Sequence, residues 1–250
     1  MRSFSASDLL TVWERGLNGS PAERALLLLR SAFPDATPAS LARLTIGQRD
    51  LCLLKLREMT FGSNLTGVAA CPGCGDQVEL DFDIRDIASD EAKLPDFPDD
   101  EAVNEIPLTL PGWELRFRIP TNADLASLQV DITQAKTKLL EACVLSASRE
   151  GEPAQPAELP DEVVAALSER MAMEDPYLNI TLALKCPACS HEWQMIFDIV
   201  GYFMSEITFW AARMMREVHR LASAYGWREA DILAMSAWRR QRYLELISGS

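Results

Sequence analysis

Histidine is almost missing from this chain. Only His191 and His219 occur in 250 residues, and neither pairs with a cysteine nucleophile outside the cysteine pairs described below. No G-x-S-x-G elbow, P-loop or G-x-G-x-x-G turn occurs, which excludes the recognisable forms of triad hydrolysis, phosphate cradling and dinucleotide binding. The acidic runs ELDFD and DFPDDE lack the ligand spacing of a calcium loop. The expectation is a protein that is not an enzyme and takes no small-molecule substrate.

Long apolar runs are also lacking. The greasiest segment, MIFDIVGYFMSEITFWAARMM, is interrupted by Asp198, Glu206 and Arg213, too often for a bilayer span. The N-terminus, MRSFSASDLL, turns polar before an apolar signal region develops. Six cysteines in 250 residues are too sparse for a disulfide scaffold, so reduced thiols and a cytoplasmic setting are expected. At this length a core can form without disulfides.

Positive charge is scarce and unevenly placed. Lys and Arg total 24 against 37 Asp and Glu, a net charge of −13. Between Asp76 and Asp175 stand 24 acidic and 8 basic residues, a net of −16. From Ala211 onward seven arginines face four acids, a net of +3. An acidic majority opposes wholesale binding of phosphate backbones, although a basic C-terminal face can meet an acidic partner.

What is present begins with helices. Ser20, Pro21 and Glu23 form a capping box with proline at the first helical position. Thr45 and Gln48 form a second box, opening a helix to about Thr60 that ends at Phe61-Gly62 and turns Leu51, Cys52 and Leu54 to a core. Alternation through Val78, Leu80, Phe82 and Ile84 predicts a half-buried strand. A Pro-rich acidic loop, KLPDFPDDEAVNEIP, leads to a β element, LTLPGWELRFRIP. Thr121 and Asp124 then cap what reads as one long helix, about Asn122 to Ser148, carrying Cys143 on its apolar face. A polar loop and a short helix, DEVVAALSERMAM, follow, ending at Asp175-Pro176.

The chain then repeats itself. LTGVAACPGCGDQVELDFDI from Leu65 and ITLALKCPACSHEWQMIFDI from Ile180 align at a constant offset of 115, each reading strand, knuckle, strand. Each Cys-Pro-x-Cys offers two sulfurs, half of a tetrahedral site, so Cys71, Cys74, Cys186 and Cys189 predict one closed structural zinc per chain. Rubredoxin-like iron and a redox dithiol are the competing chemistries, but redox pairs usually open a helix, and strands follow both pairs here. Loop-closure cost grows only logarithmically, so 111 residues between the pairs is no obstacle. His191 reads as a surface polar residue beside the second knuckle.

From Ile207 apolar residues recur at helical spacing as far as Tyr225, with Arg213, Arg216 and Arg220 opposite; Gly226 stops the helix. Two short helices follow, the second capped by Ser236. Their aromatics close a small core or anchor a partner. The candidate interface comprises Arg213, Arg216, Arg220, Trp227, Arg239, Arg240 and Tyr243.

The segments TIGQRDLCLLKLREMTFGSNLTGVAACPGCG, RFRIPTNADL, CPAC and REVHRLASAYGWREADILAMSAWRRQRYLEL resemble the baseplate hub assembly proteins of contractile-tailed phages and of related phage-tail-like injection particles. The resemblance covers roughly residues 40–85, 107–128 and 174–247, and its C-terminal segment is the most specific part. It implies a non-enzymatic assembly factor or a permanent component of the central baseplate, with hub or other tail proteins as partners. The resulting expectation is an α+β protein, cytoplasmic or inside an assembled particle. A split zinc ribbon (65–84 plus 177–200) is expected to fasten an N-terminal helical segment (1–64), an acidic inserted β/α unit (85–176) and a C-terminal helical bundle (201–250). A nucleic-acid-binding zinc ribbon is the alternative from another class.

Overall fold

A computed structural model describes residues 1–89, 91–97, 104–128 and 132–248. Four helices open the chain: α1 (Ala6–Gly16), α2 (Pro21–Ala32), α3 (Pro38–Arg43) and α4 (Ile46–Phe61). The boxes at Ser20 and Thr45 form as expected, and Ser5 makes a third on α1 with Asp8. In each, the side chain takes up an amide that the first helical turn leaves unpaired. In its middle turn α4 is buried on more than one face: Leu51, Cys52, Leu53 and Leu54 are four successive core residues. Such a helix sits at the centre of a protein.

The first hairpin follows, β1 (Asn64–Ala70) with β2 (Gln77–Asp83), then a single 3-10 turn at Ile84–Asp86. The inserted region comprises β3 (Ile106–Leu110), β4 (Trp113–Phe117), α5 (Asn122–Ser127), α6 (Ile132–Cys143), β5 (Val144–Arg149), β6 (Glu152–Pro153) and α7 (Asp161–Glu174). Its antiparallel sheet, in order β3-β4-β5-β6, backs onto a core of its own built on Phe117, Val144, Val163 and Leu167. The acidic crossing loop lies outside the described residues from 98 to 103.

One sequence expectation fails here. The helix foreseen from Asn122 to Ser148 is two helices, and its last five residues are strand. The Thr121–Asp124 box is present, but α5 ends at Ser127; residues 129–131 lie outside the described set. From Val144 the chain pairs antiparallel with β4, Leu115 against Ala147, and buries Val144 and Ala147. Pairing with a strand some thirty residues upstream outweighs local helical preference.

The second hairpin, β7 (Thr181–Lys185) with β8 (Glu192–Ile196), leads into α8 (Ile199–Tyr225), then α9 (Glu229–Leu233) and α10 (Ala237–Ser248). Asp198 caps α8 through the Gly201 amide, and Gly226, at φ 67°, ends it in the left-handed conformation. The first turns of α8 belong to the main core. Phe203 is fully buried, stacked on Phe4 at 6.3 Å and edge-on to Phe61 at 5.9 Å. Arg57 of α4 forks onto Glu206 of α8, at 2.8 Å through Nε, and ties the two helices. Further along, Leu221 packs with Ile232 of α9 and Leu244 of α10. The roots of both hairpins, Leu65, Ile84, Ile180 and Phe197, lie in the same core as α1, α2 and α4.

The inserted region is fastened to the helical part at two places. Ile46 N–H donates to Pro120 O at 3.0 Å, and the fully buried Asn122 bonds Ala22 O and Arg49. At the far end the Asp175 carboxylate accepts the Gly47 amide at 3.0 Å, an anion at the start of α4. A Cβ at residue 47 would overlap that carboxylate. Gly47→Ala is therefore expected to lower stability by roughly 1–3 kcal/mol, measured as a lower midpoint in thermal denaturation.

Candidate metal centre and neighbouring surfaces

The two knuckles are copies in space as well as in sequence. At the 115-residue offset, Thr66↔Asp81 becomes Thr181↔Ile196, and Ala70↔Gln77 becomes Lys185↔Glu192. Cys71 N–H donates to Asp76 O and Cys186 N–H to His191 O, both at 2.9 Å. Gly75 N–H closes onto Cys71 O at 2.8 Å, and Ser190 N–H onto Cys186 O at 2.9 Å. The turn needs a left-handed residue after its second cysteine, and Gly75 (φ 80°) and Ser190 (φ 61°) supply it.

The copies face each other. Phe82 and its counterpart Phe197 meet edge-on at 5.7 Å, and Trp193 of the second hairpin packs on the Val78–Leu80 cluster of the first. At the tips, Cys71 Sγ lies 3.6 Å from Cys189 Sγ, and Cys74 Sγ lies 3.6 Å from Cys186 Sγ. Exchanging the copies converts one pair into the other, so the four thiols surround a local pseudo-two-fold axis. All four sulfurs fall within 4.8 Å of one another.

Those separations suit a metal ion. Ligands about 2.3 Å from a tetrahedral zinc stand about 3.8 Å apart. Cys71 and Cys186 are buried beneath the tips; Cys74 and Cys189 are exposed. Main-chain amides are aimed at the sulfurs. Gly73 N–H reaches Cys71 Sγ at 3.3 Å, and the Cys189 amide, helped by that of Ala188, draws the Cys186 thiol down to about 7. At Cys74 the Asp76 amide favours the thiolate, but the neighbouring sulfurs, Cys189 foremost, push the thiol up to about 12. Four crowded thiols resist ionising together, and a divalent cation among them removes that resistance.

His191 stacks on Trp193 at 6.2 Å and is not a member of the sulfur cluster. The remaining thiols are chemically quiet: burial pushes Cys52 up to about 12 and Cys143 up to about 11.

The C-terminal candidates separate into two groups. Arg213, Arg216, Arg220 and Arg239 are exposed. Arg240 is buried, bonded to Glu217 at 3.2 Å, and is not presented to solvent. Trp227 and Tyr243 are half-buried and pack with Tyr225, Trp227 stacking on Tyr225 at 4.4 Å and meeting Tyr243 edge-on at 4.8 Å. Two further aromatics stand clear of the surface: Trp238, one of the C-terminal aromatics expected to close a small core or anchor a partner, at 72% exposure, and Phe209, which was not expected, at 75%. Position in the helical repeat was the available signal for Phe209, which falls off the apolar stripe.

These features define a helical α+β scaffold whose paired knuckles carry a four-thiol cluster able to hold a metal ion. Among the described residues no helix is long and apolar enough to cross a membrane. The chain belongs to the T4 bacteriophage base plate protein family, whose profile matches residues 8–204, all four clustered cysteines included. No curated protein and no solved structure matches the chain.

Proposed function

We propose that this protein is a non-enzymatic assembly factor for the baseplate hub of a contractile phage tail or tail-like injection particle. It holds a hub subunit through protein contacts on a zinc-stapled scaffold. Membership of the base plate family carries the reading. The zinc is structural, one per chain, held by Cys71, Cys74, Cys186 and Cys189, because four sulfurs leave no open position for water or substrate. In this reading residues 65–84 and 177–200 form a split ribbon joining the N-terminal helices, the acidic insertion and the C-terminal bundle.

The docking surface is the face presenting Arg213, Arg216, Arg220 and Arg239, with Trp238 as its aromatic anchor and the Trp227–Tyr243 cluster beneath. The charge pattern favours protein over nucleic acid as the partner. Arg213 faces Glu217, and next to that face Arg228 bonds Asp231 at 2.9 Å and Arg242 bonds Glu245 at 2.8 Å, so acids are interleaved with the arginines. The net charge of −13 further opposes a phosphate backbone as the partner. In this reading the protein acts in the cytoplasm of the producing cell or within the assembled particle.

Purification of finished particles, alongside tagged capture from producing cells, tests this. An assembly factor co-purifies with a hub protein from cells and is missing or substoichiometric in finished particles. Stoichiometric copies in the particle would instead make it a permanent component. Trp238→Ala is expected to weaken hub capture at least tenfold, since truncating an interface anchor costs about 2 kcal/mol; unchanged capture would remove this face from the reading.

A further inference from the structure

The groove between the two hairpins has the features of a strand-binding slot. It measures about 690 Å³ and is lined by every residue of β2 from 78 to 82 and every residue of β7 from 181 to 185. A sheet face contributes only alternate residues, so an unbroken run means that the groove opens along the strand edges. Among the described residues each of these strands has one neighbour, β1 for β2 and β8 for β7, which leaves the other edge unpaired there. The outer edge of β1 is treated differently. There Tyr202 of α8 accepts the Thr66 amide at 3.0 Å and donates to Thr66 O at 2.9 Å, capping the strand. Edge strands left uncapped are templates for another strand.

The chemistry along the slot alternates. Val78, Leu80 and Phe82 point to the buried side with Leu182 and Leu184, while Glu79 and Asp81 point to solvent. Asp86 adds a third acid, and the one basic side chain in the lining, Lys185, is bonded to Glu192 at 2.8 Å. Negative charge on the solvent side is thus uncompensated among the described residues.

We propose that this groove receives an extended segment of a partner protein, lysine- or arginine-bearing at alternate positions and apolar between them, paired to the main-chain edges of β2 and β7. Strand addition gives affinity through the backbone and selects partners through the alternating side chains. A five-residue insertion is about 17 Å long, matching the five residues of β7. This rests on the reading of the chain as a protein-binding scaffold and adds the binding mode and the chemistry of what is bound.

The test uses the full chain and a fluorescent heptapeptide of alternating lysine and valine, acetylated and amidated at its ends. Peptide binding is expected to protect amides in β2 and β7 from hydrogen exchange. A peptide N-methylated at alternate residues, which cannot complete the ladder, should bind at least tenfold more weakly, and so should a glutamate–valine counterpart. The exposed double substitution Glu79→Lys/Asp81→Lys should reverse the charge preference. The proposal is overturned by absence of binding, by equal binding of the methylated peptide, or by protection confined to α8–α10. A dimer whose β2 edge is already protected without peptide would also overturn it, by naming a second copy as the occupant. The methylation comparison needs no variant, so it holds even if the double substitution misfolds. Because the assay uses the isolated chain, its failure is distinguishable from failure of the hub-assembly reading, which particle composition decides.

Discussion

Cys186→Ser is expected to abolish stoichiometric zinc binding and to release the tips of both hairpins while the helical core stays folded. The asymmetry follows from how each part is held. The roots, Leu65, Ile84, Ile180 and Phe197, are buried among α1, α2, α4 and α8. The tips have only a small cluster, Cys71, Cys186 and Val78 with Leu80 and Trp193 against it. Apparent zinc affinities of about 10–16 kcal/mol in finger peptides set the scale of what is lost locally. Hydrogen exchange should speed up at least a hundredfold in residues 68–78 and 183–193, with little change in α4. Chelator should then have no further effect on the variant. The same substitution in a redox dithiol would leave the tips ordered, so wild-type protection there would point to that chemistry instead.

The second large effect is expected at the junction of α8 with the N-terminal helices. Phe203 is fully buried between Phe4 and Phe61, so Phe203→Ala removes an aromatic side chain from the core and leaves a cavity. The expected loss is about 3–5 kcal/mol, which in a chain of this size lowers the melting midpoint by roughly 10 °C. Phe209→Ala, six residues along the same helix but 75% exposed, serves as the control. It should change stability by less than about 0.5 kcal/mol. Equal effects at the two positions would mean that α8 does not dock as described.

Much of this architecture was legible because its determinants are local. The boxes at Ser20 and Thr45 mark helix starts within three residues, and Gly226 marks a stop, so spacing alone located α2, α4 and the end of α8. The knuckles were legible for a different reason: the chain contains the motif twice, and the register of one hairpin reproduces the other. The misread segment, Val144–Arg149, has its determinant elsewhere. Nothing within it announces that β4 lies alongside, and its residues fit a helix continuing from Cys143. Arg240 shows the same limit, since its spacing on α10 resembles that of its exposed neighbours, while its partners, Glu217 on α8 and the Met235 carbonyl, are set by how the helices pack. The groove was invisible for the strongest reason. An unpaired strand edge is a property of how two hairpins are placed, and no residue pattern encodes it.

X-ray absorption at the zinc edge, on protein purified without added metal, tests the staple most directly. One zinc per chain with four sulfur neighbours at about 2.3 Å is the expected spectrum. Protein free of metal, or a zinc shell containing nitrogen or oxygen, would contradict it.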